Sequence, residues 1–122
     1  MNIRNGVDLV EINRFEEIDP KILKRFFNRV FTIGEQEICR ERMSSYAGRF
    51  AAKEAVAKTL GTGIGEIRWK DIEILKGSLG EPFLVLHDNA LTKSKELGLS
   101  DWSLSISHGK QIAIAFVIAS GP

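Results

Sequence analysis

Residues 48–63 read GRFAAKEAVAKTLGTG. Alanines recur through this stretch, no proline interrupts it, and Gly61 offers the left-handed stop that ends many helices. With the serines at 44 and 45 in front of it, the spacing predicts one helix running from SSY to Gly61. A helix sided mostly with methyl groups can approach its neighbours closely, so it is expected at the centre of the molecule. Its charges sort by helical period. Arg49 and Lys53 are four residues apart on one face, whereas Glu54 and Lys58 form a second pair one turn apart.

Working outward, NGVDLVEI (5–12) alternates Val7 and Leu9 with Asp8 and Val10 after a turn-prone Asn-Gly, which predicts a first strand with Asp8 in its middle. In DPKILKRFFNRVF (19–31), Asp19 can cap and Pro20 suits the first helical position. Ile22, Leu23, Phe26, Phe27 and Val30 then form an apolar stripe. Thr32 with Glu35 makes a capping box for a further helix to about Arg42. IRWKDIEIL and PFLVLH read as strands around the turn KGSLGEP, and DNALTKSKELG as a helix with Asp88 as cap and Gly98 as stop. DWSLSISH alternates Trp102, Leu104 and Ile106 with serines. IAIAFVIA follows as the other arm of a hairpin and as a more fully buried strand. This order predicts an α+β fold. One domain spanning residues 1–122 is expected, with a small, mainly antiparallel sheet packed on the long central helix.

Composition narrows the function classes. The chain has 122 residues, is 43% hydrophobic, and carries 17 basic against 16 acidic residues for a net charge of +1. That balance demands neither nucleic acid nor an anionic membrane as partner. A lone Cys39 excludes an internal disulfide and a multi-cysteine metal site. No apolar run reaches the roughly 18 residues of a membrane span, and MNIRNGVDLVEI lacks a secretory apolar region. A cytoplasmic location is therefore expected.

The chemistry-bearing residues are few. Asp8 and Glu54 sit on elements with apolar neighbours, and two carboxylates converging there would suit a hard divalent cation. Spacing alone leaves open the alternative that Glu54 simply pairs with Lys58 while Asp8 takes backbone donors. The glycines of GTGIG let backbone N–H groups approach an anion, yet the loop lacks the strand and the GK[ST] of a phosphate-binding Walker loop and sits at a helix C-terminus, so by itself it reads as a helix stop plus turn. His108 ends a strand at a sheet rim. No GxSxG motif supports a serine hydrolase. On the helix from Pro20, Lys21, Arg25 and Arg29 share one stripe with Lys24 beside it, and no acid offsets them. With Arg14 nearby, they suit an acidic protein partner.

Taken together, GVDLVEINR, GRFAAKEAVAKTLGTGI, WKDIEI followed by GEPF, and LSISH with IAIAFV resemble the short phosphopantetheinyl transferases of the holo-acyl-carrier-protein synthase type, over nearly the whole chain. The resemblance implies Mg2+-dependent transfer of 4′-phosphopantetheine from coenzyme A to a serine of apo acyl carrier protein, releasing adenosine 3′,5′-bisphosphate, in fatty acid biosynthesis. It also implies catalytic roles for Asp8, Glu54 and Lys58, with the metal held by Asp8 and Glu54. Coenzyme A would be held by Arg49, Lys53, Lys58, Gly61, Ser107 and His108. Carrier docking would fall to Arg14, Lys21, Lys24, Arg25 and Arg29, and a homotrimer with sites between subunits is typical of the family. Resemblance and motif leave the base that takes the serine proton unassigned.

Overall fold

The computed structural model describes residues Met1–Pro122. The chain runs β1 (Asn2–Glu11), α1 (Asn13–Glu16), α2 (Pro20–Val30), α3 (Ile33–Cys39), α4 (Met43–Leu60), a single 3-10 turn η1 (Trp69–Asp71), β2 (Ile72–Lys76), β3 (Pro82–Leu86), α5 (Asp88–Glu96), β4 (Asp101–His108) and β5 (Ile112–Gly121). Two antiparallel sheets form, one ordered β1-β5-β4 and the other a β2-β3 hairpin. The α+β architecture expected from the sequence is the one observed.

Helix α4 lies across the first sheet and against β2, and almost all of it is buried. Small residues make this possible on both sides: Ala47, Ala51, Ala52 and Ala55 on the helix and Ala113, Ala115 and Ala119 on β5 are all in the core. The closest approach is at Gly6 of β1. A methyl group built there would fall on the Ala55 carbonyl oxygen and lie 2.6 Å from Thr59 Oγ1. Gly61 closes the helix with φ of 76°, the left-handed conformation expected of it.

The N-terminal helices are held by an aromatic cluster. Phe27 stacks on Tyr46 at 3.9 Å and Phe50 on Trp69 at 4.9 Å between centroids, with Phe15, Phe26 and Phe31 filling between. This cluster fixes α2 beside η1. Asp19 caps α2 by accepting from Lys21 N, and the Thr32–Glu35 capping box forms as expected.

Four local expectations are corrected. The strand predicted from Ile67 begins only at Ile72, because η1 intervenes and the buried Asp71 carboxylate caps that turn by accepting from Arg68 N. Helix α3 ends at Cys39 instead of near Arg42, where Arg40 turns to φ 54°. Asp88 is the first residue of α5 and not its cap, and its side chain caps nothing. Most consequential is β5, whose inward positions are small while its large side chains, Ile112, Ile114, Phe116 and Ile118, point outward and are exposed. The register places Val7 and Leu9 of β1 beside Phe116 and Ile114. The outer sheet face is thus an apolar strip, Phe116 48% and Leu9 54% exposed, bordered by the serines of β4.

Candidate active site

Strand pleat and helix period together bring Asp8 to α4. Asp8 shares the inward face of β1 with Gly6 and Val10, and it meets the Glu54/Lys58 side of the helix. Lys58 Nζ donates to Asp8 Oδ1 and to the Val7 carbonyl, both at 2.9 Å. Glu54 lies within hydrogen-bonding reach of the Asp8 carboxyl. Burial first, and then the Asp8 charge, push the Glu54 carboxyl above the usual glutamate range, while Lys58 and Arg14 pull it down. Both readings left open by spacing are therefore partly realised: Lys58 does form an ion pair, but with Asp8, and the two acids converge.

Glu54 and Lys58 line an open cavity of about 680 Å3 with Ala57, Gly61, Thr62 and Trp69. Thr62 Oγ1 is buried without a hydrogen-bond partner. Thr62 and Trp69 escaped the sequence reading. The threonine was visible only as part of a glycine loop, and the tryptophan is carried to the cavity by η1, which periodicity does not reveal.

Arg49 lies about 140° round the helix from Glu54 and about 8 Å along it. Its Nε donates to the Ile74 carbonyl at 2.9 Å. It lines a separate cavity of about 240 Å3 with Arg42, Ser45, Gly48, Lys76 and His108. His108 falls on the same sheet face as Ile106, towards α4, whereas Ser107 pairs with Ile114 and points to the outer face. Within one chain, the Glu54–Lys58–Gly61 group, with Asp8 held beside it by Lys58, and the Arg49–His108 group line two cavities that share no residue. Ser107 faces neither.

Lys53 is placed away from both. Its ammonium is fully buried against the equally buried Glu35 at 2.8 Å and donates to the carbonyls of Trp69 and Ile72. Burial depresses the Lys53 pKa and Glu35 partly restores it. Glu35 Oε2 also accepts from Ile74 N at 2.8 Å. Lys53 therefore holds β2 and η1 to α4, and it lines neither cavity. Its partner Glu35 was legible only as a capping residue. Cys39 is buried, and burial raises its thiol pKa to about 11, so it is a packing residue with no thiolate at neutral pH.

Arg14, Lys21, Lys24, Arg25 and Arg29 are all exposed, and none forms an ion pair. Arg14 is near enough to Glu54 to influence its charge, so the basic surface reaches the rim of the acidic pair.

A small α+β protein with paired carboxylates beside a cavity lined by a lysine and a glycine loop, and with an arginine and histidine around another, has the make-up of a phosphate-handling protein. The particular family follows from comparison. Residues 4–117 match the 4′-phosphopantetheinyl transferase superfamily, and the chain belongs to it. It is 47% identical over 117 residues to the holo-[acyl-carrier-protein] synthase of Alkaliphilus oremlandii, covering 93% of this chain and 95% of that one. With the synthase of Natranaerobius thermophilus the identity is 48% over 121 residues, 97% of each chain. Among solved structures it resembles Helicobacter pylori holo-[acyl-carrier-protein] synthase in complex with coenzyme A, at TM-score 0.85 and 36% identity, covering 95% of this chain and 99% of that chain.

Proposed function

We propose that this chain is a holo-[acyl-carrier-protein] synthase, a single domain over residues 1–122 that transfers 4′-phosphopantetheine from coenzyme A to a serine hydroxyl of apo acyl carrier protein. The observation that carries this reading is the meeting of Asp8 and Glu54, far apart in sequence, beside Lys58. Relatives of nearly full length carry that enzyme name, and one solved relative holds coenzyme A.

Asp8 and Glu54 fit a Mg2+ ion. They present only oxygen donors, and magnesium takes one or two carboxylates and leaves the rest of its shell to water and phosphate. When bound, the ion supplies neutralisation of pyrophosphate charge. The protein's own residues account for the remaining steps. Lys58, more than half exposed, can turn from Asp8 to a phosphate oxygen. Arg49 and His108 supply a second set of donors for phosphate on the nucleotide side. The serine oxygen forms its bond to the β-phosphorus as the bond from that phosphorus to the bridging oxygen breaks. The electron pair leaves with adenosine 3′,5′-bisphosphate, and the serine proton passes to a base at the site.

One ligand can use both residue groups if neighbouring copies supply them, so the working form is read as a cyclic trimer with sites between subunits. The apolar outer strip of β1 and β5 supports this, since large side chains face outward and small ones inward. A cytoplasmic setting and a place in fatty acid biosynthesis accompany the reading. No helix is long and apolar enough to cross a membrane. Incubation with coenzyme A, Mg2+ and apo carrier protein should add a phosphopantetheine, about 340 Da from its chemical formula, to the carrier serine by mass spectrometry. Unmodified carrier after full incubation would refute the proposal.

A further inference from the structure

The basic surface does not stop at α2. Arg29 on its last turn faces an open cleft of about 550 Å3 whose other walls carry Arg68 and Lys70, on either side of Trp69, and His87 before α5, whose Nε2 is paired with Glu73 at 3.0 Å. Arg29 and Lys70 have no acidic partner. Arg68 is three-quarters exposed and lies 3.7 Å from Asp71 and 3.8 Å from Asp88, which leaves most of its N–H groups unsatisfied by protein. Of the two acids in the cleft, Asp71 is buried and its Oδ2 accepts from Arg68 N, so only Asp88 presents its charge to solvent.

We propose that this cleft is a second contact for the carrier, engaging acidic side chains that lie beyond those met by α2. The inference rests on the synthase reading and adds to it a particular surface and partner chemistry. Three observations favour a protein over a small anion. The cations, Arg29 of α2 and Arg68 and Lys70 on either side of Trp69, are spread along an open groove; a phosphate site would converge on one point. The cleft continues the stripe Lys21, Arg25 and Arg29, along which no acid occurs from residue 20 to 34, so one extended acidic surface can cover both. And η1 is shared: Arg68 and Lys70 face the cleft while Trp69 between them lines the cavity of Glu54 and Lys58. A partner spanning α2 and the cleft therefore straddles the rim where its serine must arrive.

The test is steady-state transfer with Arg68→Glu/Lys70→Glu and with Lys70→Glu alone, which alters one exposed, unpaired side chain and leaves folding intact. At low ionic strength the double variant should raise KM for apo carrier protein on the order of tenfold, with KM for coenzyme A and kcat unchanged. The difference should shrink in high salt, and Lys70→Arg should behave as the unaltered protein. An unchanged carrier KM in both variants, while Arg25→Glu raises it, would confine the carrier to α2 and overturn the proposal. A matching rise in KM for coenzyme A would also overturn it, in favour of a small-anion site. Failure of the unaltered protein to modify carrier would instead sink the synthase reading, and this proposal with it.

Discussion

Glu54 shows how one side chain sets function against stability. Burial and the neighbouring Asp8 raise its proton affinity in the folded chain above that of the unfolded chain. A carboxyl with a raised folded pKa favours folding most below the ordinary glutamate range and loses that contribution as pH rises through the raised value. Above that window the Glu54 carboxylate thus opposes folding, a cost that the proposed cation would offset. Glu54→Gln is expected to raise the melting temperature of the cation-free protein at pH 7, an advantage that vanishes below about pH 4. The same substitution should lower transfer on the order of 100-fold or more. Circular dichroism melts across pH in chelator, with parallel assays, check both; a lower melting temperature at pH 7 would contradict the assigned electrostatics.

Elements matter here through how closely they pack. The carboxyl pair exists because β1 touches α4, and it touches because Gly6 has no side chain above Ala55. Gly6→Ala must move the strand or the helix and should cost about 3 kcal/mol, a cost of overpacking against backbone that cannot yield. Gly109, in the β4–β5 turn, has open space where a Cβ would go, so Gly109→Ala is the near-neutral control. Urea unfolding of the two variants measures the contrast, and similar midpoints would show that the strand is free to shift. The Lys53–Glu35 pair works at this same scale. It fastens β2 and η1 to α4, and with them the Ile74 carbonyl that orients Arg49 and the tryptophan that lines the cavity.

For the whole molecule, the proposed function requires two separated residue groups to serve one ligand. If each site joins Asp8 of one subunit to Arg49 of the next, Asp8→Ala and Arg49→Ala chains should each be inactive alone yet complement on co-expression. In a randomly mixed cyclic trimer about a quarter of the sites would pair an intact Asp8 with an intact Arg49. Recovery near that fraction of unaltered activity is expected. No recovery, in mixed oligomers demonstrated by mass, would place the site inside a single chain.

Features governed by local period and local chemistry were legible in the amino-acid order. The extent of α4 and its stop at Gly61 followed from propensity and glycine geometry, and the Asp19 and Thr32 caps from side chains bonding their own backbone. The two faces of α4, Arg49/Lys53 and Glu54/Lys58, followed from 3.6 residues per turn. What those faces meet depended on residues brought together from distant parts of the chain. Nothing local distinguishes Lys53, buried against a glutamate 18 positions away, from Lys58, reaching a strand acid 50 positions away, because burial and charge pairing depend on distant residues. Nor could alternation in β5 tell inside from outside: a period of two fixes which residues share a face and leaves open which face is covered. The alanines of α4 resolved that by admitting only small neighbours inward, and so left the large apolar side chains on the surface.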